Sequence, residues 1–270
     1  MAARSPFDHL THRSISMSKP LKNKLALVTG SSRGIGAAIA IRLAAEGASV
    51  IVNYAASPKR AEEVVAQIKK EGGEAEAVQA DLGSLDGPKT LMASVDKVFG
   101  GKFAGLLDIL VNNAGTVEFG PFLESSEQSY DKQFNLNVRS LIELCKTAAP
   151  RMIKEGWGRI INIGSVFGEA APLPGVTIYI ATKFAVQGFT RGLSRELGAT
   201  GVTVNNVQPG PIDAELSPAD GPYSDVMKKL TSVGRYGRVE EIGSAVAFLA
   251  RPEAAFINGE SLTVDGGWNA

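Results

Sequence analysis

Leu25-Ala26-Leu27-Val28-Thr29-Gly30-Ser31-Ser32-Arg33-Gly34-Ile35-Gly36, running on to Gly47, decides the fold. Leu25 to Val28 is a short apolar run of the kind that forms a buried strand. Gly30, Gly34 and Gly36 follow as a turn. Ile35, Ile39 and Leu43 then recur every four residues, the repeat of one helix face, and Gly47 stands as a C-cap. A strand, a glycine turn and a helix N-terminus together form an anion site, because free backbone N–H groups and the helix dipole point at whatever docks there. Glycine is needed where a side chain would hold the backbone away from a pyrophosphate. The spacing is G-x-x-x-G-x-G rather than the commoner G-x-G-x-x-G. A plain tight turn into a helix is the competing reading; the flanking strand and helix favour a nucleotide site.

Working outward, Ser49 to Asn53 reads as a second strand. A site for NAD usually places an acid at the end of this strand to bind the ribose 2′-hydroxyl. Here the end is Asn53-Tyr54, with no acid, while Arg33 sits inside the glycine turn. A missing acid and an added arginine favour NADP(H). A solvated loop charge is the other reading of Arg33.

The rest of the chain alternates helix and strand. Pro58 to Glu71 reads as a helix and Ala75 to Ala80 as a strand leading into Asp81-Leu82. Asp86 to Phe99 reads as a helix. The strand Asp108 to Val111 runs into Asn112-Asn113-Ala114-Gly115. Ser126 to Met152 reads as one long helix, with Phe134, Val138, Leu141, Cys145 and Ala148 on one side and Asn137 among apolar neighbours. An asparagine is unfavourable mid-helix and needs a partner or a task. Arg159 to Ile163 is a strand ending at Gly164-Ser165. Ile178 to Gly198 is a helix, and Val202 to Val207 a strand ending near Pro209-Gly210. Residues 214–236 are rich in Pro, Gly and Asp and read as a substrate lid. Glu240 to Ala250 is a helix and Ser261 to Val264 a last strand. About seven strands alternating with helices indicate an α/β fold, a doubly wound parallel sheet with helices on both faces. Residues 1–22 read as a disordered N-terminal extension, with a transit peptide as the other reading. Residues 23–270 read as one dinucleotide-binding catalytic domain.

Composition narrows the chemistry. The 270 residues carry no net formal charge and have a pI near 6.8, which argues against a nucleic-acid or anionic-membrane surface as the main partner. No apolar run reaches the roughly 18 residues of a membrane span. Cys145 is the only cysteine, so an intrachain disulfide is impossible and a cytoplasmic address is expected. The two histidines, His9 and His12, both fall in the N-terminal extension. The body therefore lacks a Ser-His-Asp triad and a Cys/His zinc site, and no metal is expected. Proton chemistry must fall to Tyr, Lys, Asp or Glu.

Tyr179 and Lys183 are i and i+4 on one helix and share a face. A tyrosine pKa of about 10 suits neither acid nor base work at neutral pH. A neighbouring ammonium favours the phenolate, and moving the value to about 7 takes some 4 kcal/mol of differential stabilisation. Ser165, just past a strand end, is placed to hydrogen-bond the same substrate oxygen. Taken singly, the Tyr-Lys pair reads equally as surface packing and Gly164-Ser165 as a turn; together at strand ends they read as a site.

The chain resembles the short-chain dehydrogenase/reductase family. The stretch Thr29 to Gly36 matches the family's TGxxxGxG, Asn112 to Gly115 its NNAG, and Tyr179 to Lys183 its YxxxK. Asn137, Ser165 and Pro209-Gly210 fall where its remaining motifs belong, and the match runs from about Lys24 to Gly267. The nearest likeness is to bacterial β-ketoacyl-(acyl carrier protein) reductases, that is 3-oxoacyl reductases, and related carbonyl reductases. The resemblance implies a Rossmann-type fold, a homotetramer and a set of roles. Tyr179 is the implied general acid or base. Lys183 binds the nicotinamide ribose and lowers the Tyr179 pKa, Ser165 orients the substrate oxygen, and Asn137 holds a water in a proton relay. Gly30, Ser32, Arg33, Gly34, Ile35, Gly36, Asn53, Tyr54, Asp81, Leu82, Asn113, Ala114, Gly115, Pro209, Gly210 and Ile212 complete the implied cofactor contacts. Ala214 stands where the family often has threonine, so one hydroxyl contact to the cofactor is missing. Phe167, Leu173, Val176, Pro211 and Met227 are expected to wall the substrate pocket. The expected activity is NADPH-dependent reduction of a ketone or β-ketoacyl carbonyl in a small molecule. The alternative is a non-catalytic NADP(H)-sensing protein.

Overall fold

The computed structural model describes residues 19–270. The first eighteen residues of the expected extension lie outside them, together with His9 and His12. Leu21 is fully buried and its N–H donates to the Glu46 carbonyl at 3.0 Å, so the packed body already includes this residue.

Seven strands form one sheet: β1 (Leu25–Val28), β2 (Ser49–Tyr54), β3 (Glu74–Gln79), β4 (Ile109–Asn112), β5 (Gly158–Ile163), β6 (Val202–Pro209) and β7 (Ser261–Val264). Every pairing is parallel, in the order β3-β2-β1-β4-β5-β6-β7. From β1 the chain winds one way to β3, then crosses back to β4 and winds the other way. Ligands bind in such sheets where the winding reverses, outside the carboxyl ends of the strands. Val28 is level with Val52 of β2 and Val111 of β4, so three strand ends open together beside that switch point.

Among the described residues there are eight α-helices: α1 (Gly34–Ala45), α2 (Pro58–Lys70), α3 (Gly87–Val95), α4 (Glu127–Phe134), α5 (Ser140–Glu155), α6 (Thr177–Leu197), α7 (Ser224–Leu230) and α8 (Val239–Ala250). Alternate strand residues face opposite ways. Ala26, Val28, Val50 and Val52 pack in one core with Ile39 and Leu43 of α1 and Val246 of α8. Leu25, Leu27 and Ile51 pack in the other with Leu91 of α3, Leu144 of α5 and Val186 of α6. Two covered faces explain why the central strands are apolar throughout.

Two expected helices come out differently. The helix expected over Asp86 to Phe99 ends as α3 at Val95, and Phe99, Gly100 and Gly101 all have positive φ. The Phe99 N–H donates to the Glu76 carboxylate at 2.9 Å instead of continuing the helix. The long helix expected from Ser126 to Met152 is α4 and α5 joined through a π turn, Asn135–Arg139. That wider turn rotates the buried stripe onto Gln133, Asn137 and Ser140, and leaves Phe134 and Val138 half-buried. Leu141, Cys145 and Ala148 are buried as the pattern indicated. Within the segment expected to form a lid lies α7, and a parallel bridge between Ile212 and Gly237 joins its two ends.

Candidate active site

The glycine turn at the end of β1 is tight for a local reason. Gly30 has φ +60°, and a Cβ there would come within 3.0 Å of the Ala114 backbone. A Cβ on Gly36 would lie 2.5 Å from both Asn113 Nδ2 and the Gly30 carbonyl oxygen. Asn53 at the end of β2 is spent on this turn: its Oδ1 accepts from the Gly30 N–H at 3.1 Å, and its Nδ2 donates to the Val78 and Ala80 carbonyls. Asn113 does the same from β4, donating to the Thr29 and Gly30 carbonyls at 2.8 and 3.1 Å. Arg33 is the N-cap of α1 and makes no side-chain cap. The first-turn amides of α1 have no partner within the helix, so they and the positive end of its dipole are left for a ligand.

These groups line one cavity of about 560 Å³. Gly30, Ser32, Arg33, Gly34, Ile35 and Gly36 form its floor, with Asn53, Tyr54, Asp81 and Leu82 at one end. Asn113, Ala114 and Gly115 border the middle. Ser165, Tyr179, Lys183, Pro209, Gly210 and Ile212 stand at the other end, walled by Phe167, Leu173, Val176, Pro211 and Met227. A cleft with an uncapped helix terminus on a glycine floor and mostly apolar walls around Tyr179 fits a dinucleotide lying beside a small substrate.

At the far end, Ser165 begins a short 3₁₀ turn after β5, and its Oγ accepts from the Phe167 N–H at 3.2 Å. Tyr179 lies in the first turn of α6 and is half-buried, with the Phe167 ring edge-on at 6.1 Å. Lys183, one turn on and buried, donates from Nζ to the Ile163 carbonyl at 2.9 Å. Its Nζ is 5.4 Å from the Tyr179 ring centroid. Burial pushes the Tyr179 phenol up to about 12, against a hydrogen bond from Ser165 that pulls it down. Burial brings Lys183 down to about 8. The direction for Tyr179 is thus upward, opposite to the depression expected from Lys183. Desolvation outweighs an ammonium that is turned toward a backbone carbonyl. Lys183 still carries its charge at neutral pH.

Asn137 stands apart from the rest. It is buried in the π turn and does not line the cavity. Its Oδ1 accepts from the Thr116 N–H at 2.8 Å, and its Nδ2 donates to the Thr116 carbonyl at 2.9 Å and the Thr182 hydroxyl at 3.1 Å. It ties the loop segment following Gly115 to α6 one residue before Lys183.

Several residues of the site were missed in the sequence, Thr29 behind the cavity wall and Trp268, Phe119 and Glu215 on it. The Thr29 hydroxyl accepts from the Asn113 and Ala114 N–H groups at 2.9 and 3.0 Å and holds the two strand ends together. A hydroxyl at a strand end beside a glycine was the available signal. Trp268 enters the cavity from the C-terminus and Phe119 from the loop after β4, with no local pattern to mark either. Glu215 also lines the cavity and pairs with Arg33 at 3.0 Å and with Arg60. No group of metal-ligating side chains occurs among the described residues.

Comparison with known proteins agrees with this geometry. Residues 24–222 match the family model described as short chain dehydrogenase. The cyclic-di-GMP-binding biofilm dispersal mediator protein of Escherichia coli is 42% identical over 247 residues, which cover 92% of this chain and 98% of that protein. A 3-oxoacyl-(acyl-carrier-protein) reductase of Staphylococcus aureus is 41% identical over 248 residues, covering 90% and 97%. A short chain dehydrogenase from Burkholderia cenocepacia, solved in complex with NADP, superposes with a TM-score of 0.86 at 42% identity, covering 93% of this chain and all of that one. With its sheet, its cleft and these relatives in agreement, the chain belongs to the short-chain dehydrogenase family, as an oxidoreductase near the 3-oxoacyl reductases.

Proposed function

We propose that the protein is an NADPH-dependent reductase of ketone or β-ketoacyl carbonyls, reversible toward alcohol oxidation, with Tyr179 as general acid and base. The observation that supports it most is the meeting of Ser165, Tyr179 and Lys183 at the apolar end of a cleft whose other end is an uncapped helix terminus. The nicotinamide supplies the hydride when bound. The chain supplies the rest. The α1 amides and Arg33 bind the phosphates. Ser165 donates to the carbonyl oxygen and holds it near the phenol. Tyr179 gives its proton to that oxygen as negative charge builds on it, and the Lys183 ammonium stabilises the phenolate left behind. Asn137, through Thr116 and Thr182, positions the start of α6 and, by the family resemblance, supports a water for reprotonation. The absence of an acid at the end of β2, Arg33, and the NADP in a 42% identical relative support NADP(H) over NAD.

The walls of the substrate end are mostly apolar, which suits small ketones as well as acyl groups. Apolar side chains left exposed on helices, Phe184 on α6 and Phe248 on α8 among them, support a homotetramer. The single cysteine supports a cytoplasmic address, and no helix among the described residues is long and apolar enough to cross a membrane. The deciding experiment follows the near-ultraviolet absorbance of NADPH with a panel of ketones, β-ketoacyl thioesters and sugars. Turnover of a carbonyl is expected. Tight NADPH binding with no turnover across the panel would favour the sensing protein instead.

A further inference from the structure

We propose that Glu215 is a built-in competitor of the cofactor's 2′-phosphate, held between Arg33 and Arg60, and that a phosphate monoester displaces it and frees the lid. The proposal rests on the NADPH reading given above. The two arginines come from different elements, Arg33 from the N-cap of α1 and Arg60 from the first turn of α2. They converge on the two oxygens of one carboxylate, Arg33 Nη1 on Oε2 at 3.0 Å and Arg60 Nη1 on Oε1. Glu215 comes from the base of the lid. Its neighbour Ala214 approaches Gly34, with its Cβ 3.7 Å from where a Gly34 Cβ would be. Glu215 lines the cavity with Tyr54, Ala55, Ala56 and Ser57, the corner beyond β2 where a ribose 2′-substituent falls.

Carboxylate and phosphate are interchangeable partners for a guanidinium, since both accept its parallel N–H bonds. A phosphate monoester brings nearly two charges and three oxygens against one charge and two oxygens. All three side chains are about half exposed, at 52% for Arg33, 47% for Arg60 and 53% for Glu215. Ion pairs so placed are weak and screened by salt, which makes this one displaceable rather than structural. Once the phosphate arrives, Glu215 is repelled by it and loses both partners. An adenine dinucleotide lacking the 2′-phosphate gives it no reason to leave. Arg60 is then a second specificity-determining residue, outside the glycine turn, and Glu215 is the cost that a 2′-phosphate must overcome. Leu216 and Ser217, the next residues, also line the cavity, so release at the adenosine end reaches the lid.

The test is calorimetric binding of adenosine 2′,5′-bisphosphate and adenosine 5′-monophosphate, which differ in the 2′-phosphate alone and need no turnover. Glu215→Gln is expected to bind the bisphosphate about three- to tenfold more tightly, and the monophosphate within about twofold of wild type. Arg60→Gln is expected to bind the bisphosphate weaker by a similar factor. Hydrogen exchange over residues 214–217 of the wild-type protein should rise with the bisphosphate and not with the monophosphate. If wild type prefers the bisphosphate and Glu215→Gln binds it no better, the competitor is overturned and the NADPH reading stands. If wild type binds the two alike, the NADPH reading fails; Glu215 as competitor then survives only if Glu215→Gln gains a preference for the bisphosphate, and is overturned if it does not.

Discussion

Tyr179 and Lys183 lie one turn apart on α6, and burial moves their pKa values in opposite directions, Tyr179 up and Lys183 down. Tyr179→Phe keeps the ring against Phe167 and removes the transferable proton. General acid catalysis contributes about 10²–10⁴-fold, so kcat should fall by at least that range while NADPH binding is kept. Near wild-type kcat in this variant would place the acid elsewhere. Lys183 makes a second prediction, on stability. Its folded value of about 8 lies below the ordinary 10.5. Between these values the unfolded chain holds a proton that the folded protein has released, so stability rises with pH across that window. Urea titrations of wild type and Lys183→Met should show the difference between them moving in favour of wild type by about 2 kcal/mol from pH 8 to pH 10. A difference flat in pH would mean that burial does not penalise the ammonium. Tyr179 titrates higher and is present in both proteins, so it cancels.

At the scale of elements, the turn between β1 and α1 is packed without room for a side chain at Gly36. Gly36→Ala would drive a methyl into Asn113 Nδ2 and the Gly30 carbonyl. Overpacking of this kind costs about 1–3 kcal/mol, and moving the turn would misplace the α1 amides as well. A lowered melting temperature together with loss of NADPH binding is expected; unchanged binding would mean that the amides are not the phosphate site. A second contact joins α1 to α8 at their C-terminal ends. Glu46 is nearly buried and accepts from Arg251 Nε at 2.7 Å and Nη2 at 2.6 Å, and from Arg42 Nε at 3.0 Å. Burial raises the Glu46 carboxyl, but the two arginines outweigh it and hold the pKa below 4.5. A depressed carboxyl contributes stability above its unfolded value and loses it as pH falls through the folded one. Glu46→Gln should therefore cost about 1–3 kcal/mol at pH 7, and the deficit should shrink in acid below about pH 4.5. An equal deficit at pH 3 would show that packing, not charge, is what the substitution removes.

Across the whole molecule, the sheet brings residues from β1 to the C-terminus into one cleft, and several apolar side chains are left outside it. Phe256 is fully exposed and Leu123 nearly so, with Phe184 and Phe248 partly exposed on α6 and α8. Exposed aromatic groups of this number are costly on a lone monomer. Light scattering at micromolar concentration is expected to give the mass of four chains, and Phe256→Asp to reduce it. A monomer in the wild-type protein would refute the assembly.

What the sequence by itself determined is periodic or local. The glycine turn, the unbroken apolar run of β1 and the four-residue repeat of α1 each depend on a few neighbouring residues, so the doubly wound parallel sheet and the glycine floor of the cleft were legible from Leu25 onward, while the order of the strands was not. The family motifs placed Ser165, Tyr179 and Lys183 at its far end, and the structure brings them together there. What only tertiary structure decided depends on partners far away in the chain. Asn137 sits in a π turn because Thr116 and Thr182 satisfy its amide, and no local pattern announces them. The helix after Asp86 stops early because Glu76 captures the Phe99 N–H. Glu215 meets Arg33 across 182 positions of sequence, and Lys183 turns to the Ile163 carbonyl rather than to the phenol. Desolvation belongs to the same class: the Tyr179 pKa rises because the folded chain removes water from it, and that removal exists only once the sheet and α6 are packed.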